Sequence, residues 1–229
     1  MKAMILSGGR GKRLRPLTDT IPKSLILINN TPIIEWSIKY LKKFGITDII
    51  LCTGYKTKQI EDYLNKKNNF GCKIEYSVEK EVLGTGGAIK KAIKKISDKS
   101  FIVINGDIIT NIDLKKIKTK PNCVAAIELR TKYGTMKIRN RKIVKFNEKA
   151  SVENIWMNPG VYHLSVNIAK ILPTKGSLEE IVFPKLVKKN SLQTVKFKNI
   201  LWHSIDSYKD IDVCSKDIKS KKYSKYFKK

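Results

Sequence analysis

No run of eighteen apolar residues occurs in the sequence, and the short apolar stretch near the N-terminus breaks at a glycine cluster. Neither a membrane span nor a signal peptide is expected. Cysteine is sparse: Cys52, Cys72, Cys123 and Cys214 lie far apart, with no Cys-x-x-Cys and no His/Cys cluster. That spacing argues against a zinc site and for reduced core or surface thiols in a cytoplasmic protein. The two histidines, His163 and His203, have no partner pattern, and no Ser/His/Asp or Cys/His nucleophile arrangement is visible. They read as packing or surface residues, and no covalent intermediate is implied.

Negative charge is also scarce. Asp and Glu total 20 against 47 Lys and Arg, a formal net charge of +27. Such an excess suggests a polyanion partner. The lysines are spread over predicted helix faces, however, as in Lys90-Lys91 and Lys94-Lys95, so a solvated lysine-rich surface is the favoured reading. Residues 219–229 hold six lysines with Tyr223, Tyr226 and Phe227 between them. This basic tail is a candidate for nucleic acid or acidic lipid, not the favoured one. A chain of 229 residues supports one core, read as a single domain over 1–218 followed by the tail. Oligomeric state is open, and a homo-oligomer is compatible with the sequence.

What is present begins with Met4-Ile5-Leu6-Ser7-Gly8-Gly9-Arg10-Gly11-Lys12-Arg13-Leu14-Arg15-Pro16-Leu17-Thr18, closed by Pro22-Lys23. An apolar run that fits a buried strand stops at three glycines in four residues, and five residues from Arg10 to Lys23 are cationic. Glycines bring backbone N–H groups close to an anion while Arg and Lys supply charge, so this is a phosphate-handling loop. It is not a P-loop, since counting back from Gly11-Lys12 places Leu6 first and Arg13 last. Nor is it a dinucleotide fingerprint, because Leu14 stands where a small residue is needed and Pro16 follows.

The pattern Gly8-Gly9-x-Gly11-x-Arg13-Leu14-x-Pro16-Leu17-Thr18 with Pro22-Lys23 closely resembles the signature of the sugar-1-phosphate nucleotidylyltransferases, which make NDP-sugars. Lys12 departs from it, the family usually having Thr there. The resemblance runs to about residue 217 and implies a Rossmann-like three-layer α/β/α fold with a mostly parallel mixed sheet.

Periodicity agrees. Strands are expected at Lys2–Ser7, Ser24–Ile28, Asp48–Thr53, Lys73–Val78 and Phe101–Asn105, with helices opened by Thr31-Pro32, following Gly54, and over Thr85–Ile96. Alternation of this kind means a parallel α/β sheet. Later come a strand at Cys123–Leu129, a hairpin of Met136–Ile138 with Lys142–Phe146, and a strand at Val161–Leu164. A helix over Ser177–Lys189, strands at Thr194–Phe197 and Leu201–Ile205, and a helix at Tyr208–Asp217 complete a mixed extension of the sheet.

Ligands of open α/β sheets bind at the carboxyl ends of strands, where several motifs fall. Leu83-Gly84-Thr85-Gly86-Gly87-Ala88 resembles the family's base- and sugar-touching segment, with close helix packing as the structural alternative. Glu79 stands where thymidylyl and uridylyl members tend to carry Gln. A carboxylate only accepts hydrogen bonds, which suits the N–H edge of guanine or the amino group of cytosine and leans toward GTP; a surface Glu without a role is the alternative. Asp107, in Asn105-Gly106-Asp107 after an apolar strand, is placed to take Mg²⁺. Asp113 reads as a helix cap.

By resemblance, Leu6, Gly8, Gly9, Gly11, Lys12, Glu79 and Gly84 bind nucleotide, and Gly134, Glu148, Lys149 and Asn158 bind the sugar phosphate. The family's proline after Glu-Lys is Ala150 here. After Trp202, many members place a second metal-binding Asp at the position of Ser204; a cytidylyl-like variant pattern puts the acid at Asp206, which takes the metal role, with a helix cap as its alternative. The implied reaction is NTP plus sugar 1-phosphate giving NDP-sugar and pyrophosphate, with a mannose- or heptose-like sugar. Arg13 and Lys12 would neutralise the leaving pyrophosphate, Lys23 the α-phosphate, and Mg²⁺ on Asp107 and Asp206 would bridge the reactants. A fold-retaining but inactive regulatory subunit is the alternative from another class.

Overall fold

A computed structural model describes residues 1–131, 133–148 and 151–220. Lys149, Ala150 and residues 221–229 of the basic tail lie outside the described residues. The chain runs β1 (Ala3–Ser7), α1 (Leu17–Thr20), β2 (Leu27–Ile28), β3 (Thr31–Pro32), α2 (Ile33–Lys43), β4 (Asp48–Thr53), α3 (Thr57–Lys66), β5 (Lys73–Val78) and α4 (Gly84–Ala92). It continues through β6 (Ser100–Asn105), β7 (Ile108–Thr110), α5 (Leu114–Ile117), β8 (Cys123–Arg130), β9 (Thr135–Arg139), β10 (Lys142–Asn147), β11 (Ser151–Met157) and β12 (Val161–Ser165). It closes with α6 (Phe183–Lys188), β13 (Gln193–Phe197), β14 (Trp202–Ser204) and α7 (Tyr208–Lys219).

The main sheet has the order β11-β8-β12-β6-β1-β4-β5, with β13 added beside β8. β6, β1, β4 and β5 are mutually parallel, and β12 enters antiparallel to β6. The mixed sheet follows from residues buried on both faces. Along β4, Ile49 and Leu51 face one core with Ile34, Ile38 and Leu41 of α2 and Ile60 and Leu64 of α3. Ile50 and Cys52 face the other, with Ala88, Ile89 and Ala92 of α4. Apolar runs with helices on both sides are the signature of a three-layer α/β/α sheet.

A third apolar cluster, including Leu14, Ile26, Ile109, Leu201, Ile205 and Cys214, lies beneath the glycine loop and ties it to α7. All four cysteines are free and buried. Among the described residues, no helix is long and apolar enough to cross a membrane.

Several local expectations need correcting. Ser24 belongs to a 3-10 turn, and only Leu27–Ile28 forms strand, paired with Thr31–Pro32. Thr31 is therefore not the cap of α2, which begins at Ile33 with no side-chain cap. The helix expected over Ser177–Lys189 opens as a π-turn over Leu178–Val182, capped by the Ser177 hydroxyl. The cap at Asp113 is present, its carboxylate accepting from Lys115 N–H at 2.9 Å.

Candidate active site

The parallel order of β6, β1, β4 and β5 puts their carboxyl ends on one edge of the sheet, and the antiparallel β12 brings its leading segment Asn158–Gly160 to the same edge. The glycine loop leaves β1 there. Gly11 adopts the left-handed conformation (φ 62°), and a Cβ on it would come within 3.0 Å of Thr18 Cγ2 and 3.2 Å of Lys23 Cβ. The bare glycine thus lets the cationic turn Lys12–Leu14 and the Pro22-Lys23 segment pack together.

Asp107 is placed by its neighbour. Gly106 donates its N–H to Leu6 O at 2.9 Å, and a Cβ there would lie 2.2 Å from Ser7 Oγ. Asp206 arrives from the far end of the chain because β14 pairs with β7, Ser204 opposite Ile108, and Ile205 N–H donates to Asp107 O at 2.9 Å.

The two carboxylates meet at one ammonium. Lys23 Nζ lies 2.6 Å from Asp107 Oδ2 and 2.9 Å from Asp206 Oδ1, and Arg13 Nη2 lies 2.8 Å from the same Asp206 oxygen. Lys23 is 13% exposed and Arg13 76%, so the lysine pair is the sheltered one. Ser204 Oγ donates to Asp206 Oδ2 at 2.9 Å, and Asp206 N–H donates to Asp210 Oδ2 at 3.1 Å. Burial alone would raise the Asp206 carboxyl; the Lys23 hydrogen bond and charge, the Ser204 hydroxyl and Arg13 outweigh it and hold the carboxyl below its ordinary value. Asp206 is not the cap of α7, a role taken by Ser207, whose hydroxyl accepts from Asp210 N–H.

Two oxygen ligands converging on one cation are a suitable donor pair for a hard divalent ion. No group of three or more His, Cys, Asp or Glu side chains that could hold a metal exists among the described residues. The remaining positions of such an ion would be filled by water and substrate phosphate, as Mg²⁺ commonly requires.

Two cavities flank Asp206. One, of about 260 Å³, is lined by Leu6, Gly9, Gly11, Lys12, Arg13, Lys23, Asp107 and Asp206. Ser7 and Ser24 also line it, and each has a buried hydroxyl without a protein partner. The second, of about 440 Å³, is lined by Thr85, Asn105, Asn158, Tyr162, Glu179, Trp202, Ser204 and Asp206. Asn158 Nδ2 donates to Tyr162 OH at 2.8 Å, and that hydroxyl donates to Glu179 Oε1 at 2.9 Å. The other Glu179 oxygen accepts from Thr85 Oγ1 at 2.6 Å and Ser177 Oγ at 2.9 Å.

Other expected residues stand apart from these walls. Gly8 and Glu79 lie against each other, a Cβ on Gly8 coming within 2.9 Å of Glu79 Oε1, and Glu79 Oε2 accepts from Leu83 N–H at 3.2 Å. Burial raises the Glu79 carboxyl above its ordinary value, opposed by Leu83 N–H and Lys91. Gly84 (φ 74°) packs on the loop before α6: a Cβ on it would lie 2.6 Å from Gly176 O, which also accepts from Gly86 N–H at 2.9 Å. Gly84 and Gly86 thus pack closely against Gly176. Gly134 and Glu148 sit at the base of the β9–β10 hairpin, beside each other and Phe146, and do not line either cavity.

Sequence reasoning missed Glu179 and met Ser204 only as a position where many family members place an acid. Glu179 follows Ser177 in an acidic first turn and looks like a helix start; nothing local signals that its carboxylate turns inward. His163 and His203 are packing residues, His163 Nδ1 donating to Lys120 O at 3.0 Å and His203 paired with Asp217 at 3.0 Å.

The nucleotidyl transferase family model matches residues 2–220. The D-glycero-alpha-D-manno-heptose 1-phosphate guanylyltransferase of Campylobacter jejuni is 39% identical over 189 residues, 80% of this chain and 85% of the relative. The mannose-1-phosphate guanyltransferase 2 of Candida glabrata is 35% identical over 92% of this chain, which spans 62% of that longer protein. Among solved structures, HddC from Yersinia pseudotuberculosis complexed with GMP-PN superposes with a TM-score of 0.74 at 30% identity, covering 95% of this chain and 99% of HddC. The glycine loop, the paired aspartates and these matches together establish that the chain belongs to the nucleotidyl transferase family, as one of its sugar-1-phosphate nucleotidylyltransferases.

Proposed function

We propose that the chain transfers GMP from GTP to a manno-configured sugar 1-phosphate, a heptose 1-phosphate being the favoured acceptor, giving GDP-sugar and pyrophosphate. The observation that carries this reading is Asp206, which lines both cavities and shares Lys23 with Asp107. The first cavity, with its glycines and cations, suits the triphosphate; the second, with Asn158, Tyr162 and Glu179, suits sugar hydroxyls. The 39% identity to the heptose 1-phosphate relative, against 35% to the mannose 1-phosphate one, favours that acceptor.

An oxygen of the sugar phosphate, already anionic near neutral pH, attacks the α-phosphorus as the bond to the β-phosphate's bridging oxygen breaks. Lys23 meets the α-phosphate, and Lys12 and Arg13 neutralise the pyrophosphate that leaves. Asp107 and Asp206 would hold Mg²⁺, which when bound supplies charge neutralisation between the two phosphates. Asn158 and Glu179, fixed through Tyr162, orient the acceptor so that the reacting atoms start in line. Gly134 and Glu148, at the base of the β9–β10 hairpin, are further candidates for the acceptor together with Lys149, and Gly8, Glu79 and Gly84 are the candidates for the base.

The test is pyrophosphate release with Mg²⁺ over GTP, CTP, UTP, dTTP and ATP against heptose, mannose, glucose and N-acetylglucosamine 1-phosphates, with the product identified by mass. GDP-heptose or GDP-mannose as the main product supports the reading. A pyrimidine nucleotide sugar, or no product from folded protein, rejects it.

A further inference from the structure

We propose that Lys23 couples divalent-cation binding to nucleotide binding, by occupying the aspartate pair until a triphosphate draws it away. The inference rests on the reading of Asp107 and Asp206 as the metal pair. Lys23 Nζ stands between them, 2.6 Å from Asp107 Oδ2 and 2.9 Å from Asp206 Oδ1, with its side chain 13% exposed. An ammonium and a divalent ion cannot share those two oxygens, because like charges at contact distance in a sheltered site repel strongly. A cation entering the pair must displace Lys23, and the displaced ammonium needs another anion.

The same cavity provides a place for that anion. Gly9, Gly11, Lys12 and Arg13 line it together with Lys23. The base of the lysine is fixed, its stem packed so closely on Gly11 that a Cβ there would lie 3.2 Å from Lys23 Cβ and 3.5 Å from Cδ. Only the flexible end can move, through rotation about the stem, from the carboxylates toward phosphate oxygens. Arg13, 76% exposed, is a weaker competitor for Asp206 because water screens it. Nucleotide binding therefore frees the aspartates, and by reciprocity a cation on the aspartates frees Lys23 for the nucleotide. The protein avoids taking up the cation without its substrate.

The probe is Mn²⁺, titrated into nucleotide-free protein and followed by electron paramagnetic resonance and calorimetry. Lys23→Met, though deficient in turnover, is expected to bind Mn²⁺ roughly tenfold tighter than wild type, a typical size for coupling between sites. Lys23→Gln carries the same expectation should the methionine variant not fold, and Lys23→Arg, which keeps the charge, should bind as weakly as wild type. The Asp107→Asn/Asp206→Asn variant should lose this binding. Equal or weaker Mn²⁺ affinity in the uncharged Lys23 variants, with binding still dependent on the aspartates, overturns the coupling while sparing the metal pair. Mn²⁺ binding unchanged in the double asparagine variant overturns the metal reading itself.

Discussion

Ile205 donates its backbone N–H to the carbonyl oxygen of Asp107 at 2.9 Å, and this one hydrogen bond joins the turn after β6 to the residue before Asp206. Two carboxylates distant in sequence are thereby fixed side by side at the junction of the two cavities. Their ionisation has a consequence for stability. The Asp206 carboxyl is held below its ordinary 3.8 by Lys23, Ser204 and Arg13 against the opposing effect of burial. A depressed carboxyl contributes stability that is complete above the unfolded value and is lost as pH falls through the folded one. Thermal melts of wild type and Asp206→Asn should therefore differ at pH 6, and the difference should shrink as pH falls below the unfolded carboxylate range.

Glu79 runs the other way. Burial raises its carboxyl above 4.5 despite Leu83 N–H and Lys91. The folded state then binds the proton more tightly, so stability falls as pH rises through the folded value. Glu79→Gln should raise the melting temperature at pH 7 and give no gain at pH 4. If this carboxylate reads guanine, the same variant should lower kcat/KM for GTP relative to UTP by about tenfold, the size of one lost base-edge contact. Steady-state rates with both nucleotides check it.

Gly106 leaves no space for a side chain. A Cβ would meet Ser7 Oγ at 2.2 Å and Leu6 O at 2.6 Å. Gly106→Ala should cost about 1–3 kcal/mol in denaturant unfolding, the usual range for overpacking, and should lower kcat by displacing Asp107.

Asp210 is a positioning residue for Asp206. It accepts from Asp206 N–H at 3.1 Å and from the Ser207 hydroxyl at 2.8 Å, while Ser207 caps α7. Ser207→Ala should cost about 1 kcal/mol as a lost cap. Asp210→Ala should in addition raise the Mg²⁺ concentration needed for turnover by roughly tenfold, as loss of an outer partner does at metal sites. A merely structural role would lower the melting temperature and leave the Mg²⁺ requirement unchanged.

These positions differ in how far the sequence discloses them. The strand Asp48–Thr53 matches its expected bounds because a run buried on both faces carries an unambiguous pattern, and Lys73–Val78 matches as well, although it is the partly exposed edge of the sheet. The glycine loop and the turn at Asp107 are legible as candidates because glycine stands beside charge in both. Ser204 was legible only as a departure; the fold shows its hydroxyl serving Asp206, the acid two residues on. Glu179 was not legible, since its partners Thr85 and Tyr162 come from other elements and long-range pairing leaves no local periodicity. Gly86 donates its N–H to Gly176 O, and Gly84 lies against the same carbonyl, a tertiary contact that a local motif does not encode.

The most direct test of the reaction centre is the rate of pyrophosphate release from GTP and heptose 1-phosphate by wild type and Asp107→Ala at saturating Mg²⁺. Asp107 is partly exposed at a strand end, so the variant should fold as wild type does by circular dichroism. A loss of at least about a hundredfold in kcat is predicted, the scale on which removal of one group stabilising transition-state charge is felt. A folded variant that turns over at near wild-type rate would contradict the assignment of the aspartate pair.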